Sequence, residues 1–482
     1  MDKLIGITVK KKEDFSEWYS QVVLKTELAD YSLAKGFIVL RPDGYAIWEM
    51  IKEYLNEKIQ ELGHRNAYFP TLIPENLLSK EAEHFTGFIP EVFWVTKSGD
   101  NELHEKLAVR PTSETIAYSS YSKWIKSWRD LPLLLNFWNS VLRAEIKGTK
   151  PFIRTSEFLW QEGHTVHETE EEAEKEVLVM LQVYKELIQN CLAVPVQTGY
   201  KSDKEKFVGA KYTYTLESMM PDGKALQMGT SHNLGQNFSK PFEIKYLGKD
   251  KKEHTAWQTS WGVSWRLIGA LIMTHGDDKG LVLPPRIAPI QVVIVPIYYN
   301  DEDRKIVNEK VSKIKDELKN KKIRVEYDNR DNYTPGWKFN EWELKGIPIR
   351  IEIGPRDIQK NEVTIVRRDI REKISIKDET ITDEIINTLK TIQENLLSKA
   401  KERNMLMTKE VLEYNELKNL INSNFGFVKT YWCGGNECEE RIKNETGADI
   451  RLIANFEEKI TGKCIICEKE AICRWVYFSK AY

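Results

Sequence analysis

Apolar and ionisable side chains alternate in the segment PFIRTSEFLWQEGHTVH, residues 151–167. The spacing of Phe158, Trp160 and Glu162 is typical of a strand with one buried face. So many ionisable groups would be costly in a core strand, because a buried charge that lacks a partner is strongly destabilising. We therefore predict a half-buried strand that lines a polar cleft, with an ordinary strand carrying surface charges as the alternative.

Helical and strand-like patterns divide the chain into parts. Phe15, Trp18 and Val22 follow helical spacing near the start, and a mixed region rich in strands and aromatic residues runs to Leu283. Within it, residues 168–193 predict an amphipathic helix with an acidic start and a buried stripe. Cys191 on this helix is expected to be an ordinary buried residue.

Strands alternate with helices after a proline-rich linker, LPPRIAPI, at residues 283–290. This alternation predicts an α/β domain with a largely parallel or mixed sheet, ending in a long helix near residues 380–403. The expected domains are residues 1–283, 284–404 and 405–482.

Composition narrows the class of protein. The chain has 482 residues and a formal net charge of −2, which fits a soluble protein of several domains. Any nucleic-acid binding must therefore come from local basic patches. The sequence has no apolar run long enough to cross a membrane, and its charged start lacks a signal-peptide core. We expect a cytoplasmic protein.

Four of the six cysteines form two close pairs near the end of the chain, in CGGNEC and CIIC. Such pairs suit a tetrahedral structural zinc ion held by four thiolates, with no open position for a catalytic water. The predicted ligands are Cys433, Cys438, Cys464 and Cys467, whereas Cys473 is a poor fifth candidate. Reduced core thiols are the alternative.

Several motifs occur in one order along nearly the whole chain: RPTSET, PFIRTSEFLWQEGH, EKFVGA, GTSHNLGQNF, GLVLPPR and GWKFNEWELKGIPIRIEIGPRD. In these motifs the chain resembles the class II aminoacyl-tRNA synthetases, and among them the prolyl-tRNA synthetases of the archaeal and eukaryotic type. The resemblance implies an α+β multidomain fold. Its parts would be an antiparallel-sheet catalytic domain, an α/β anticodon-binding domain and a small C-terminal α/β domain that often binds zinc. It also implies a homodimer with a contact near Pro70.

The implied reaction activates proline with ATP and Mg²⁺ and transfers it to the 3′ end of tRNA(Pro). Arg143 would bind the α-phosphate, Arg154 the pyrophosphate end, and Arg266 would lie along the ATP, because guanidinium groups stay charged and bond two oxygens at once. For any one of them, a surface ion pair is the alternative. Class II synthetases in general often have an acid just before the last arginine, whereas this chain has Trp265, and prolyl enzymes commonly lack that acid. The implied ATP-binding set is Arg143, Glu145, Arg154, Gln227, Thr230 and Arg266.

A proline pocket needs acceptors for a secondary ammonium and walls for a compact ring. Thr112 and Glu114 would supply the acceptors at a helix start that looks N-cap-like. The full expected set is Thr112, Glu114, Arg143, Trp160, Glu162, His164, Phe207, His232 and Ser264, with ordinary core packing as the alternative for Phe207. Residues 167–259 leave little room for an inserted editing domain, so no cis-editing is expected.

Two further expectations concern the second half of the chain. Lys338, Glu341, Glu343 and Arg350 would read the anticodon through edge hydrogen bonds and stacking, with salt bridges as the alternative. The chain ends on Tyr482, and related enzymes often place such a tyrosine against the catalytic domain. We therefore expect Tyr482 to dock near the active site with its α-carboxylate on an arginine or lysine, with a simple strand end as the alternative. Two rival functions remain: a class II ligase for threonine or glycine, and a non-enzymatic paralogue that binds tRNA.

Overall fold

The computed structural model describes residues 6–78, 92–144, 148–454, 459–472 and 474–482. Two residues considered above, Glu145 and Cys473, lie outside this description. Within the described part of the chain, no helix combines the length and apolarity that a membrane crossing needs.

One large sheet organises the molecule. Among the described residues it has eleven strands, and its central strands pair antiparallel, as the resemblance implied. From one edge to the other the strands are Thr408–Glu410, Phe427–Thr430, Val476–Ser479, Asp449–Ala454, Gln197–Tyr200, Tyr212–Met219, Ala225–Gly235, Trp257–Ser264, Glu157–His167, Leu133–Leu142 and Arg65–Asn66.

Helices from the first 283 residues pack around this large sheet. They are Phe15–Lys25, Pro42–Glu61, Glu114–Trp124, Glu170–Glu186 and Arg266–His275. Glu170–Glu186 buries Val177, Leu181 and Tyr184, and it continues as a π-helical turn, Leu187–Cys191, in which Cys191 is buried. The predicted stripe and the buried cysteine are both confirmed. Glu170–Glu186 packs on one face of the sheet, where Tyr184 donates to Gln161, and Glu114–Trp124 packs on the other face, where the Tyr118 hydroxyl lies 3.2 Å from His164 Nδ1.

Short strands complete this part of the molecule. Leu72–Pro74, Asn101–Val109 and Trp94–Ser98 form a three-stranded sheet. Two ribbons pair Ala29–Tyr31 with Ile38–Leu40 and Lys245–Leu247 with Glu253–Thr255.

The middle part has the predicted mixed sheet. Its strands, in spatial order, are Val325–Tyr327, Val292–Pro296, Ile349–Ile353, Glu362–Arg367 and Lys373–Lys377. The first three pair parallel and the last two add antiparallel. Its helices are Asp301–Asn320, Pro335–Leu344, Pro355–Gln359 and Ile381–Leu406.

The C-terminal part has two helices, Tyr414–Asn422 and Asn436–Thr446, but no separate sheet among the described residues. Its strands belong to the large eleven-stranded sheet, because Ile453 pairs with Tyr200 and Ala454 with Gly199. A strand at the edge of a sheet has unpaired backbone N–H and C=O groups, which can form hydrogen bonds with a strand from another part of the chain. This continuity brings C-terminal side chains to the border of the cleft.

Candidate active site

A long hairpin forms one half of the cleft. Strand Leu133–Leu142 pairs with Glu157–His167 along its whole length, from Leu133↔Val166 to Leu142↔Glu157. Phe158, Trp160 and Glu162 alternate onto the cleft face and line a cavity of about 280 Å³. The prediction of a half-buried strand lining a polar cleft is confirmed.

Glu162 is the centre of a buried polar network. Its carboxylate accepts hydrogen bonds from the Asn139 side chain at 3.0 Å, from the Ser113 backbone N–H at 3.2 Å and from the Ser113 hydroxyl. His164 Nε2 lies 2.9 Å from Glu162 Oε2. Burial alone would raise the pKa of Glu162, but the bonds from His164, Ser113 and Asn139 outweigh it and hold the pKa below its ordinary value. A carboxylate therefore persists at the floor of the cavity.

His164 is the buried partner of this carboxylate. Burial would lower its pKa, yet the carboxylates of Glu114 and Glu162 overcome this and raise it. Glu114 is itself buried and accepts a hydrogen bond from Thr112. The cavity thus combines two carboxylates with one imidazole, an arrangement suited to a small ligand with a cationic N–H group.

The start of the helix Glu114–Trp124 differs from the expectation. Ser113 occupies the N-cap position, but its side chain makes no cap hydrogen bond to the helix. It bonds Glu162 instead, because that buried carboxylate needs donors more than the helix end does. Ser113 thus stands at the expected N-cap position, but its hydroxyl belongs to the pocket network.

Two of the three arginines lie between the two cavities of the cleft. Arg143 and Arg266 line both the 280 Å³ cavity and a neighbouring one of about 370 Å³, which Arg154 also lines. The Arg266 guanidinium lies 3.4 Å from the carbonyl oxygens of Gln227 and Ile153. Burial, followed by the nearby charge of Arg143, lowers the pKa of Arg266 to about 10, so it remains protonated at neutral pH. The three guanidiniums form a site for a polyanion.

An aromatic wall closes the smaller cavity. Phe207 and His232 pack with ring centroids 4.9 Å apart, and the Thr213 hydroxyl lies 2.9 Å from His232 Nδ1. Burial lowers the pKa of His232 to about 3, with the charge of His164 adding to the effect. His232 is therefore a neutral wall residue at neutral pH, whereas the pKa of His164 is shifted in the opposite direction.

The structure brings together every described residue of the predicted ATP and proline sets at the two cavities. These are Thr112, Glu114, Arg143, Arg154, Trp160, Glu162, His164, Phe207, Gln227, Thr230, His232, Ser264 and Arg266. Glu145 lies outside the described residues.

Sequence reasoning missed several members of the site. Asn139 donates to Glu162 and accepts the Trp160 indole N–H at 2.6 Å. Its polar side chain within an apolar strand was a usable signal. Thr213 and Lys201 also line the cavity, but neither stood out along the chain.

The four anticodon candidates do not share one environment. Glu343 and Arg350 line a cavity of about 360 Å³ that Arg367, Arg368 and Arg371 also line. Lys338 is buried and donates to the Asp328 carbonyl at 3.0 Å. Glu341 pairs with Arg330. For Lys338 and Glu341, the salt-bridge alternative describes the contacts better than exposure to a nucleotide does.

The four predicted cysteine ligands converge. The sulfurs of Cys433, Cys438, Cys464 and Cys467 all lie within 4.8 Å of one another, with Cys433 at 3.7 Å from Cys438 and 3.6 Å from Cys467. Tetrahedral zinc with Zn–S bonds of about 2.3 Å separates its sulfurs by roughly 3.8 Å. The cluster therefore fits a four-thiolate metal site.

Tyr482 reaches the arginine-lined cavity of the cleft. Tyr482 lines the 370 Å³ cavity, and its ring lies 4.8 Å from Lys150 Nζ and 5.5 Å from Lys224 Nζ. Its backbone N–H donates to the Ala225 carbonyl, at the start of a cleft strand. The predicted docking of the Tyr482 side chain is observed.

The antiparallel sheet, the two arginines of its hairpin and loop, and a third arginine at the start of helix Arg266–His275 meet at one cleft, which is the architecture of a class II aminoacyl-tRNA synthetase. The family description "tRNA synthetase class II core domain (G, H, P, S and T)" matches residues 93–275, "Anticodon binding domain" matches residues 291–388, and "Prolyl-tRNA synthetase, C-terminal" matches residues 414–482.

The chain is similar in sequence to several proline–tRNA ligases over nearly its full length. The chain is 58% identical over 463 residues to a proline–tRNA ligase of Cenarchaeum symbiosum, covering 96% of this chain and 97% of the relative. It is 53% identical over 478 residues to that of Natranaerobius thermophilus, covering 98% and 97%. For Alkaliphilus oremlandii the identity is 55% over 469 residues, covering 97% and 96%. The chain belongs to the prolyl-tRNA synthetase family.

Proposed function

We propose that the protein activates proline with ATP to prolyl-adenylate and transfers the prolyl group to the 3′ end of tRNA(Pro). The observation that carries this proposal is the joining of two cavities at Arg143 and Arg266. One cavity holds carboxylates and an aromatic wall, and the other holds three arginines. An amino acid in the first and a triphosphate in the second would meet at the two shared guanidiniums.

Charge stabilisation accounts for the adenylation step. As the proline carboxylate attacks the α-phosphorus, negative charge grows on the non-bridging oxygens, and Arg143 and Arg266 stabilise it. Arg154, which is exposed on the loop between the hairpin strands, holds the leaving pyrophosphate. Mg²⁺ bound with ATP would neutralise further phosphate charge. No side-chain nucleophile is needed.

The small cavity accounts for amino-acid recognition. The proline ammonium has two N–H donors, and Glu114, Thr112 and Glu162 offer acceptors at the cavity floor. Phe207 and His232 contact the ring. A pocket of this kind excludes alanine weakly, since a lost methylene group is worth about 1–3 kcal/mol. We propose that no cis-editing occurs, which residues 167–259 support because they form the helix and sheet strands described above.

Anticodon binding is proposed for the basic cavity of the middle part. Arg350 and Glu343 line it together with further arginines, so it can bond base edges and phosphates. Lys338 and Glu341 complete the proposed set only as residues that fix the neighbouring helix. The four thiolates would hold Zn²⁺ in a structural role.

Further features of the proposal come from the family resemblance. They are a homodimer with a contact near Pro70, cytoplasmic location, the archaeal and eukaryotic type of domain organisation, and boundaries at residues 283/284 and 404/405. The three matched family segments fall within these boundaries, which supports the division.

Proline-dependent exchange of pyrophosphate into ATP tests the proposal, with alanine, cysteine and threonine as competitors. We expect proline to give the highest kcat/KM by at least tenfold. Exchange stimulated best by threonine would favour the rival ligase, and binding of tRNA(Pro) without any exchange would favour the non-enzymatic paralogue. Accumulation of alanyl-tRNA(Pro) during aminoacylation with alanine tests the absence of editing.

A further inference from the structure

A buried ion cluster joins the C-terminal part of the chain to the cleft. Arg451 lies on strand Asp449–Ala454, and its guanidinium donates to both carboxylate oxygens of Glu217 at 2.9–3.1 Å. Glu217 lies on catalytic strand Tyr212–Met219 and is fully buried. The residues are distant in sequence, so the contact exists only because the two parts share one sheet.

Glu217 has a second cationic partner, which lies in the wall of the cleft. Lys201 Nζ donates to Glu217 Oε1 at 2.8 Å and to the Arg451 carbonyl at 3.0 Å, and its side chain is 3% exposed. Lys201 lines the same cavity as Arg143 and Arg266. Arg451, Glu217 and Lys201 therefore form a continuous chain of charges from the C-terminal part to the cleft.

The cluster lies beside the phosphate arginines. Glu217 pairs across the sheet with Gln227, whose carbonyl accepts from Arg266. The carboxylate of Glu217 favours the charged form of Arg266, whereas Arg143 and Arg451 oppose it. Burial would raise the pKa of Glu217, but Arg451 and Lys201 outweigh it and the pKa is lowered, so a carboxylate persists here. A buried anion thus sits close to the groups that must bind ATP.

We infer that Arg451 is a positioning residue for adenylation. Arg451 fixes the position of the Glu217 carboxylate and neutralises its charge. Glu217 can then hold Lys201 in the cleft wall without pairing with Arg266, so that the Arg266 guanidinium stays available to bind ATP. Without Arg451 the buried carboxylate would lose its bidentate partner and compete with the triphosphate for Arg266. This role rests on the proposed function. It means that the C-terminal part contributes to the active site in addition to its structural role.

Four full-length variants separate this role from simple attachment of the C-terminal part. Arg451→Met removes the charge at similar length, and Arg451→Lys keeps one charge but not the bidentate bond. Glu217→Gln with Arg451→Met removes both charges. Glu439→Ala is the matched control, because Glu439 is buried in the C-terminal part and accepts a hydrogen bond from Ser202 of the catalytic part at 2.7 Å.

The measurement is proline-dependent exchange of pyrophosphate into ATP at varied concentrations of ATP and of proline. Each rate is divided by the fraction of the variant that is folded under the assay conditions. We expect Arg451→Met to lower kcat/KM for ATP about tenfold, equivalent to ~1.4 kcal/mol, with KM for proline within about twofold of the original. Arg451→Lys should fall between. The double variant should recover to within about threefold of the original, because no competing carboxylate remains. Glu439→Ala should lose stability but keep its ATP kinetics.

Unaltered ATP kinetics in folded Arg451→Met, or a double variant no better than that single one, would overturn the inference. If Arg451→Met does not fold, the lysine and double variants carry the same comparison. A failure of the proposed function appears separately, as absence of proline-dependent exchange in the unsubstituted protein.

Discussion

His164 Nε2 lies 2.9 Å from Glu162 Oε2, with both side chains buried in the smaller cavity. The contact with His164 helps to lower the pKa of Glu162, and the carboxylates of Glu114 and Glu162 raise the pKa of His164. This pair sets the polarity of the pocket floor, because hydrogen bonds from Ser113 and Asn139 fix the carboxylate in place. Glu162 therefore presents its carboxylate to the cavity in one orientation.

The first prediction is that Glu162→Gln weakens the use of proline. The amide keeps the size but loses the charge, and a hydrogen bond to a charged group is worth about 1.5–3 kcal/mol. Exchange kinetics at varied proline should show kcat/KM reduced by at least about tenfold, with KM for ATP little changed. Glu157→Gln, on the same strand but outside the cavity lining, is the control. Equal proline kinetics in the two variants would contradict the assignment of Glu162.

The second prediction concerns Arg143, which lines both cavities. Arg143→Ala should reduce the exchange rate on the order of 10²-fold or more, by analogy with the loss of other charge-stabilising groups. Binding of tRNA should persist. Arg143→Lys should lie between, since it keeps the charge but not the planar fork. Arg304→Ala, which removes a surface partner of Asp331, should match the unsubstituted protein. Exchange within a few-fold in Arg143→Ala would show that the arginine does not contact the phosphate.

The third prediction is that Cys464→Ser lowers both zinc content and thermal stability. A serine hydroxyl is a poor replacement for a thiolate, and structural zinc contributes directly to folding. Elemental analysis should find less than one zinc per chain, and the Tm should fall by about 5 °C or more. Cys191→Ser is the control, because Cys191 is buried outside the cluster. Metal-free unsubstituted protein would remove the basis for this site.

The fourth prediction is a loss of stability in mild acid. Burial lowers the pKa of His275 to about 3, whereas in the unfolded chain it titrates near 6.5. Between these values the unfolded state binds the extra proton, so the free energy of unfolding falls as the pH decreases from about 6.5 towards 3. One such histidine contributes a slope of about 1.4 kcal/mol per pH unit.

Denaturant unfolding at a series of pH values measures this slope. In His275→Gln the slope between pH 4 and 6 should decrease by about the contribution of one proton. Above about pH 7.5 the difference between the two proteins should be constant, which serves as the internal control. An unchanged slope below pH 6 would mean that His275 becomes protonated without unfolding.

The fifth prediction is that Tyr482→Ala weakens adenylation. The Tyr482 ring lines the arginine cavity and contacts Lys150 and Lys224, so its removal takes away part of the cavity wall and the ring that holds the two ammonium groups in position. Exchange kinetics should show kcat/KM for ATP reduced several-fold. Tyr299→Ala, at a position exposed in the middle part, is the matched control. If both variants keep full activity, the terminus serves only to close the sheet.

Local patterns were enough to identify much of the site. The alternation of Phe158, Trp160 and Glu162 predicted a cleft strand, since side chains of a strand point to opposite faces at every second residue. The two cysteine pairs predicted one cluster, because the two cysteines of each pair are close in sequence and therefore close in space in any fold. The arginines were found through the resemblance of their motifs, and the structure places Arg143, Arg154 and Arg266 at one cleft.

The remaining features depend on contacts between distant segments, which no local pattern records. Ser113 bonds Glu162 rather than capping its helix, because a buried carboxylate competes for the donor. Lys338 is buried against Asp328, although its charge alone suggested exposure. The chain by itself determined which elements form and which residue types they present. Only the tertiary structure decided that Arg451 reaches Glu217, because this requires one strand to add to the edge of another part's sheet.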